Sequence, residues 1–543
     1  MSSPPRTTPG APGRSSRVIA LADAVDRVRD GMTIGLSGFS YQSPPMAVVR
    51  EIARRGVRDL TLVSGPTAGI ETDNLIDAGC VRRVVAAGVA LERVAGIAPA
   101  FRRAAGAGAI EVWECDECIW YIALRAAAWG VPWLPWPGGV GSSLTELNPE
   151  LEEIEVDGRR LLRVPAVRPD IVFLHAAEAD RYGNVRVVRE AYLGRSFAER
   201  ALAEACSGPV IATVEEIVDN DDVLRAPERT MIFGAEVVHA PGGARPGGVS
   251  GRYPPALEEI RAYCAATRKL PTSRPHAAAA APDRRDGPAP STPPGEAPSA
   301  GDEAHADLIA CVVARHLRDG QVVAFGLHAQ LMLRAAMVAQ RTHAPDLRIR
   351  HGLRAERGMV HGTAAWTDAL DDDSWRRIEY LEAHDAILRV ANPRSPMRFC
   401  DVFFVGGMQI DREGSTNLIG LRGAGGRPRL RGPGSIGTTS IATLSPDVVL
   451  FADEHSPRRF VEQVDYISVP GWQRRAAAGL SGGPSLVVTP LAVLDFENGA
   501  MRLLSVHPGV AVSDVVAATG FELIIPAEVP TTTPPSAAER AAL

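Results

Sequence analysis

Three carboxyls crowd into four positions at Glu114-Cys115-Asp116-Glu117, just before Cys118 and an alanine-rich helical stretch that runs to Trp129. Acids ahead of a helix ordinarily act as solvated caps. A second reading is that crowding beside thiols and tryptophans makes one carboxyl hold its proton and serve as a general base. Later in the chain, Arg350-His351-Gly352 closes a strand that starts at Asp346, and Glu356-Arg357-Gly358 follows. A lone histidine there is ordinarily a polar loop residue. Glu215-Glu216, after an apolar run ending at Val214, reads as a helix start. The Cys115–Cys118 spacing has no second pair and no nearby histidine, so two half-buried thiols are expected rather than a zinc or redox site.

Glycine-rich turns supply the other candidate chemistry. They are Gly35-Leu36-Ser37-Gly38-Phe39-Ser40, Pro137–Thr145 with Gly141, Ser142 and Ser143, Gly406-Gly407-Met408-Gln409, and Arg431–Gly437 with Gly432 and Gly434. Small residues let backbone N–H groups approach a phosphate or an oxyanion. Each turn is equally readable as ordinary turn chemistry. None carries the Gly-Lys-Ser/Thr of a P-loop or a G-x-G-x-x-G dinucleotide fingerprint.

Alternating strands and helices must position these residues. DLTLVSG, PVIATVEEIV and AEVVHAPGG are apolar runs ending in polar loops, separated by helical stretches. That alternation implies mainly parallel sheets with helices on both faces, and ligands at the carboxyl ends of the strands. A Pro/Ala-rich stretch at 269–303 is too poor in large apolar residues to fold and reads as a linker. It separates domains at 17–268 and 304–527, flanked by a disordered leader (1–16) and a disordered tail (528–543). The two domains repeat each other. ADAVDRVRDGMTIGLSGFS matches ACVVARHLRDGQVVAFGLHA, and DIVFLHAAEADRYGNVRV matches DVFFVGGMQIDREGSTNL, in the same order. The expected fold is therefore two homologous open α/β domains with the active site between them.

Bulk properties narrow the partners. With 543 residues the chain exceeds one hydrophobic core. A net charge of -6 argues against nucleic acid. No run approaches the roughly 20 apolar residues of a membrane-spanning helix. A cytoplasmic protein with neither nucleic acid nor membrane as partner is expected, and a homo-oligomer stays open. Seven scattered cysteines suit a reducing compartment.

These residues resemble family I CoA-transferases, specifically the glutaconate CoA-transferase branch, with A and B subunits fused. Asp30-Gly31-Met32-Thr33-Ile34-Gly35-Leu36-Ser37-Gly38-Phe39 with Pro45 is similar to that family's opening signature; Ser37 and Ser43 stand where it has glycine. HAAEADRYGNVRV and VVHAPGGARPG resemble later A blocks, and FFVGGMQIDREGSTN, RGPGSIGTTSIAT and PRRFVEQVDYISVPGW resemble B blocks. The resemblance implies an acyl-CoA thioester as substrate, with no permanently bound cofactor, held by the glycine turns. It also implies a B-part glutamate that carries coenzyme A as a covalent thioester. The position expected for that glutamate falls at Gly352, beside His351, and the nearest Glu-x-Gly is Glu356-Arg357-Gly358, a few residues late.

Ring-opening hydrolases of steroid catabolism form a related branch that lacks the B-part glutamate. Their catalytic acid lies in an A-part run that Glu114–Cys118 resembles, and Glu117 falls on it. Gly141-Ser142-Ser143 also fits that branch. The resemblance thus implies Glu117 as general base in a non-transferase enzyme, by hydrolytic carbon–carbon cleavage or decarboxylation of a β-dicarbonyl- or glutaconyl-type CoA ester; His351 reads as a second polar group that orients the substrate. A true transferase with Glu356 as nucleophile is the alternative, and a binding protein without activity is a third reading.

Overall fold

In this computed structural model, residues 15–91, 94–186, 197–249, 252–268, 300–325, 329–351, 378–380, 399–423 and 428–543 are described. The first half is built on an eight-stranded sheet in the order Glu236–His239, Val210–Val218, Ile171–Asp180, Thr33–Leu36, Leu60–Ser64, Val81–Val85, Glu111–Trp113. Every neighbour in that order is parallel, and the short strand Val185–Arg186 folds back antiparallel on Ile171–Asp180. All ten residues of Ile171–Asp180 are buried, as a strand covered by helices on both faces requires.

The second half repeats this plan in the order Ile378–Tyr380, Arg348–His351, Val322–Phe325, Val402–Gly406, Asp447–Phe451, Gly483–Val488, then two antiparallel strands, Ala492–Glu497 and Ala500–Val506. In each half the opening strand lies between its successor and the strand that leads into an Asp-Arg-x-Gly turn. Both turns close alike. Asp180 Oδ1 accepts the N–H groups of Tyr182 and Asn184 at 2.9 and 3.0 Å, and Asp411 Oδ1 accepts those of Glu413 and Ser415 at 3.1 and 2.8 Å. Gly183 and Gly414 supply the left-handed residue at φ +85° and +81°. The repeat seen in the sequence is therefore a repeat in space. One apolar cluster runs through both halves, from Trp113, Trp120 and Val172 to Phe403, Leu450 and Leu494, and each half has a further cluster of its own.

Several expectations need correction. Residues 528–543 are not a disordered tail. Thr532 donates its N–H to Val506 at 2.7 Å, and Ser536 caps a helix at Ala537–Ala542 through a reciprocal Ser-x-x-Glu box with Glu539. Glu539 in turn accepts Nε and Nη2 of Arg315 at 2.7 and 2.8 Å. The helix Ala300–His316 begins inside the expected linker. Glu215 and Glu216 start no helix; both lie in the strand Val210–Val218, where Glu215 accepts from His175 Nε2, Tyr253 and the Gly242 N–H. Those donors hold its carboxyl at about 2 against the cost of burial. Among the described residues no helix is long and apolar enough to cross a membrane, and no cluster could hold a metal ion.

Candidate active site

The carboxyl cluster lies where the two halves meet. Asp116 is the N-cap of the helix Glu117–Ala128 and accepts the Ile119 N–H at 2.9 Å. It is a cap, as the sequence suggests, yet it is fully buried, because its other oxygen takes the Ser440 N–H of the second half at 2.5 Å. Burial pushes its carboxyl up to about 6. Glu114 is buried as well and meets Arg431 in a two-pronged ion pair, its second contact at 2.9 Å. Cys115 and Cys118 are completely buried rather than half-buried, and burial drives both thiols well above their usual range. They are packing residues.

Glu117 differs from its neighbours. Its side chain is only half-buried, and Oε1 accepts the Thr67 hydroxyl at 3.0 Å. Its backbone N–H donates to the Ile436 carbonyl of the second half at 2.8 Å. Burial raises its carboxyl to about 7, the Thr67 hydrogen bond pulls it back, and the Asp116 charge adds to the rise. A carboxyl that gains and loses its proton near neutrality has the properties of a general acid–base.

The remaining candidates fall into separate places. Gly35 is inside the opening strand, where a Cβ would stand 2.7 Å from Val172 Cγ2. The Ser37 hydroxyl accepts the His175 N–H at 3.0 Å and is fully buried. Gly38, at φ +126°, presses its carbonyl against Gly65, and Phe39 donates its N–H to Gln42 at 3.0 Å. This turn touches the site through its next residue, since the Ser40 N–H donates to the Thr67 carbonyl at 3.0 Å. Gly432 and Gly434 belong to the turn that carries Ile436, and Gly434 lies against the Ala87 carbonyl, with no room for a Cβ.

Gly141, Ser142 and Ser143 line a different cleft between the halves, of about 780 Å³, together with Glu146, Arg422, Asp465 and Arg474. Ser143 braces the halves by accepting the Ile467 N–H at 2.9 Å. Gly406 ends a strand, and Gly407 abuts Thr416. Gln409 is tied to Asn417 Nδ2 at 2.7 Å and the Asp465 N–H at 3.0 Å. His351 ends the strand Arg348–His351, paired with Phe325 and Tyr380, and Glu356 lies outside the described residues.

Sequence reasoning missed Thr67, and placed Gly437 in a candidate turn without linking it to Glu117. Thr67 follows Ser64-Gly65-Pro66 at the end of a strand, the place where parallel sheets carry ligand loops, and that position was its only signal. The five tryptophans near the cluster divide: Trp113 and Trp120 are core, Trp136 donates to Ser440 Oγ at 2.8 Å, Trp133 is half-buried, and Trp129 is exposed.

The family model for coenzyme A transferase matches residues 18–233 and 398–518, one segment in each half and more than half of the chain. The chain belongs to the coenzyme A transferase family. Among curated members it is similar to the cholesterol ring-cleaving hydrolase IpdA subunit of Mycobacterium tuberculosis, 36% identical over 236 residues (41% of this chain, 79% of that one). It is also similar to the two polypeptides of glutaconate CoA-transferase from Acidaminococcus fermentans. The first of them is 32% identical (44% of this chain, 79% of that polypeptide), and the second is 30% identical (40% and 82%). The acyl-CoA transferase YdiF of Escherichia coli O157:H7 shares the fold at a TM-score of 0.68, 17% identical, over 99% of this chain and 98% of that one. That single-chain match accords with a coenzyme A transferase-family enzyme whose two halves, separate polypeptides in some relatives, are fused.

Proposed function

We propose that this enzyme acts on an acyl-CoA thioester without forming a covalent CoA adduct, using Glu117 as its general base. The observation that carries the reading is Glu117 at the junction of the halves, a half-buried residue with Oε1 on the Thr67 hydroxyl and its carboxyl raised by burial to about 7. The class of reaction is hydrolytic carbon–carbon cleavage, or decarboxylation, of a β-dicarbonyl- or glutaconyl-type CoA ester. Similarity to the ring-cleaving hydrolase supports the hydrolytic form.

In that form the Glu117 carboxylate takes a proton from water as the oxygen adds to the keto carbon distal to the thioester. The carbon–carbon bond then breaks, and its electron pair becomes the enolate of the remaining CoA ester. Protonated Glu117 returns the proton to that carbon, so one water is consumed and the base is restored. A group near neutrality can do both halves of this cycle. His351, on its strand end, is assigned to orienting the substrate, and the glycine turns to binding it. The test is a panel of cyclic and linear β-diketone CoA esters assayed with native enzyme and Glu117→Gln. Ring-opened product from the native enzyme alone supports the reading, and equal turnover by both removes Glu117 from it.

One observation favours a second reading. The chain is similar to the second polypeptide of a glutaconate CoA-transferase over most of that polypeptide's length. There the enzyme is a true CoA-transferase with Glu356 as nucleophile, and transfer of CoA from an acyl donor to a free carboxylic acid would establish it.

A further inference from the structure

Glu117 is held from two directions. From the first half, Thr67 donates its hydroxyl to Oε1 at 3.0 Å and has no exposed surface. Thr67 is itself fixed, pairing with Gly88 in a short parallel ladder and receiving the Ser40 N–H on its carbonyl at 3.0 Å. From the second half, Ile436 accepts the Glu117 N–H at 2.8 Å and donates its own to the Ala87 carbonyl at 3.1 Å.

Ile436 does this at φ +46°. A β-branched residue in the left-handed region costs on the order of 1–3 kcal/mol and persists only where its surroundings impose it. The next residue, Gly437, lies so near that a Cβ on it would stand 2.9 Å from Glu117 Oε2. That oxygen has no hydrogen-bond partner among the described residues, whereas Oε1 is anchored. The strained turn thus brings second-half backbone against the carboxyl and leaves Oε2 without a hydrogen-bond partner among the described residues.

We propose that Thr67 and the Ile436–Gly437 turn are positioning residues for Glu117, the turn confining the carboxyl so that Oε1 stays on Thr67 and Oε2 is the oxygen that exchanges the proton. The inference rests on the reading of Glu117 as base and deepens it. It makes the orientation of a first-half group depend on docking of the second half. The other ionisable groups around Glu117 are Asp116, Cys115, Cys118 and Tyr121 on its own segment, Glu199 from the helix Phe197–Ala205, and the Glu114–Arg431 pair. None of them is altered in the variants below.

The test is a carbon-13 NMR pH titration of the full chain carrying carboxyl-labelled glutamate, with the Glu117 signal assigned by its loss in Glu117→Gln. Thr67→Val removes the donor that favours the charged carboxylate. Gly437→Ala pushes the carboxyl off that donor. Each is expected to raise the Glu117 midpoint by about 0.5–1 unit, a loss of roughly three- to tenfold in the ratio of ionised to protonated form. Thr67→Ser should restore the native midpoint. If Gly437→Ala does not fold, the Thr67 pair decides alone. A Thr67→Val midpoint equal to the native one, with only a lowered unfolding temperature, would overturn the proposal. Because the titration needs no substrate, full activity in Glu117→Gln would sink the base reading while leaving the positioning result to stand by itself.

Discussion

The Arg431 guanidinium closes on the Glu114 carboxylate in a buried two-pronged ion pair that joins the second half of the chain to the first. Its position three residues before Glu117 makes the geometry of the site a property of the interface. Arg431→Met would leave a buried carboxylate without its counter-charge, at a cost of about 3–5 kcal/mol. The measurement is the urea unfolding midpoint of the full chain. Adding Glu114→Gln to Arg431→Met should recover part of that loss, because the stranded charge is gone.

Replacing Glu117 by glutamine keeps shape and volume while removing the proton acceptor. Turnover should fall by about 10²–10⁴-fold, the usual contribution of a general base. Binding of the CoA ester, followed by calorimetry, should change little. A matching loss of binding would place Glu117 in recognition instead.

Activity should depend on pH in a defined direction. A base is active when deprotonated, and Glu117 sits at about 7 because burial and the Asp116 charge outweigh the Thr67 hydrogen bond. The rate should therefore rise through pH 7 and level off above it. A profile flat between pH 6 and about 8 would not fit.

Glu199 offers a stability test with the sign fixed in advance. It is buried, Oε2 lacks a hydrogen-bond partner, and burial raises its carboxyl to about 7 from an ordinary 4.5. A raised acid binds more protons folded than unfolded, so its contribution is complete below about 4.5 and is lost as pH rises through about 7. Glu199→Gln imitates the protonated form. It should match the native enzyme near pH 4 and exceed it near pH 8, by on the order of 1–3 kcal/mol. Thermal unfolding at the two pH values checks this.

How much of this was readable beforehand follows from which interactions are local. The alternation of strands and helices and the two Asp-Arg-x-Gly turns depend on near neighbours, so both the α/β class and the internal repeat could be read from the chain. The crowding of Glu114, Asp116 and Glu117 is also local, so the carboxyl cluster could be read from the chain, and the resemblance to the ring-opening hydrolases singled out Glu117 within it. What could not be read is contact at long range. Thr67 is fifty residues from Glu117, and Ile436 lies in the other half. The burial of Asp116 depends on Ser440, and no cap pattern signals a partner more than three hundred residues away. The C-terminal segment was misread for the same reason. Its Ser536-x-x-Glu539 spacing is a local helix-start pattern, and the strand edge and Arg315 that hold the segment lie far away in the chain.

The central claim is that Glu117 acts as a base and that no coenzyme A becomes bonded to the enzyme. The most direct measurement is intact-protein and peptide mass spectrometry after incubation with a turned-over acyl-CoA and borohydride. The expected result is an unmodified chain, with every glutamate recovered intact. A reduced glutamyl residue at Glu356, the trace of a glutamyl-CoA thioester, would contradict it.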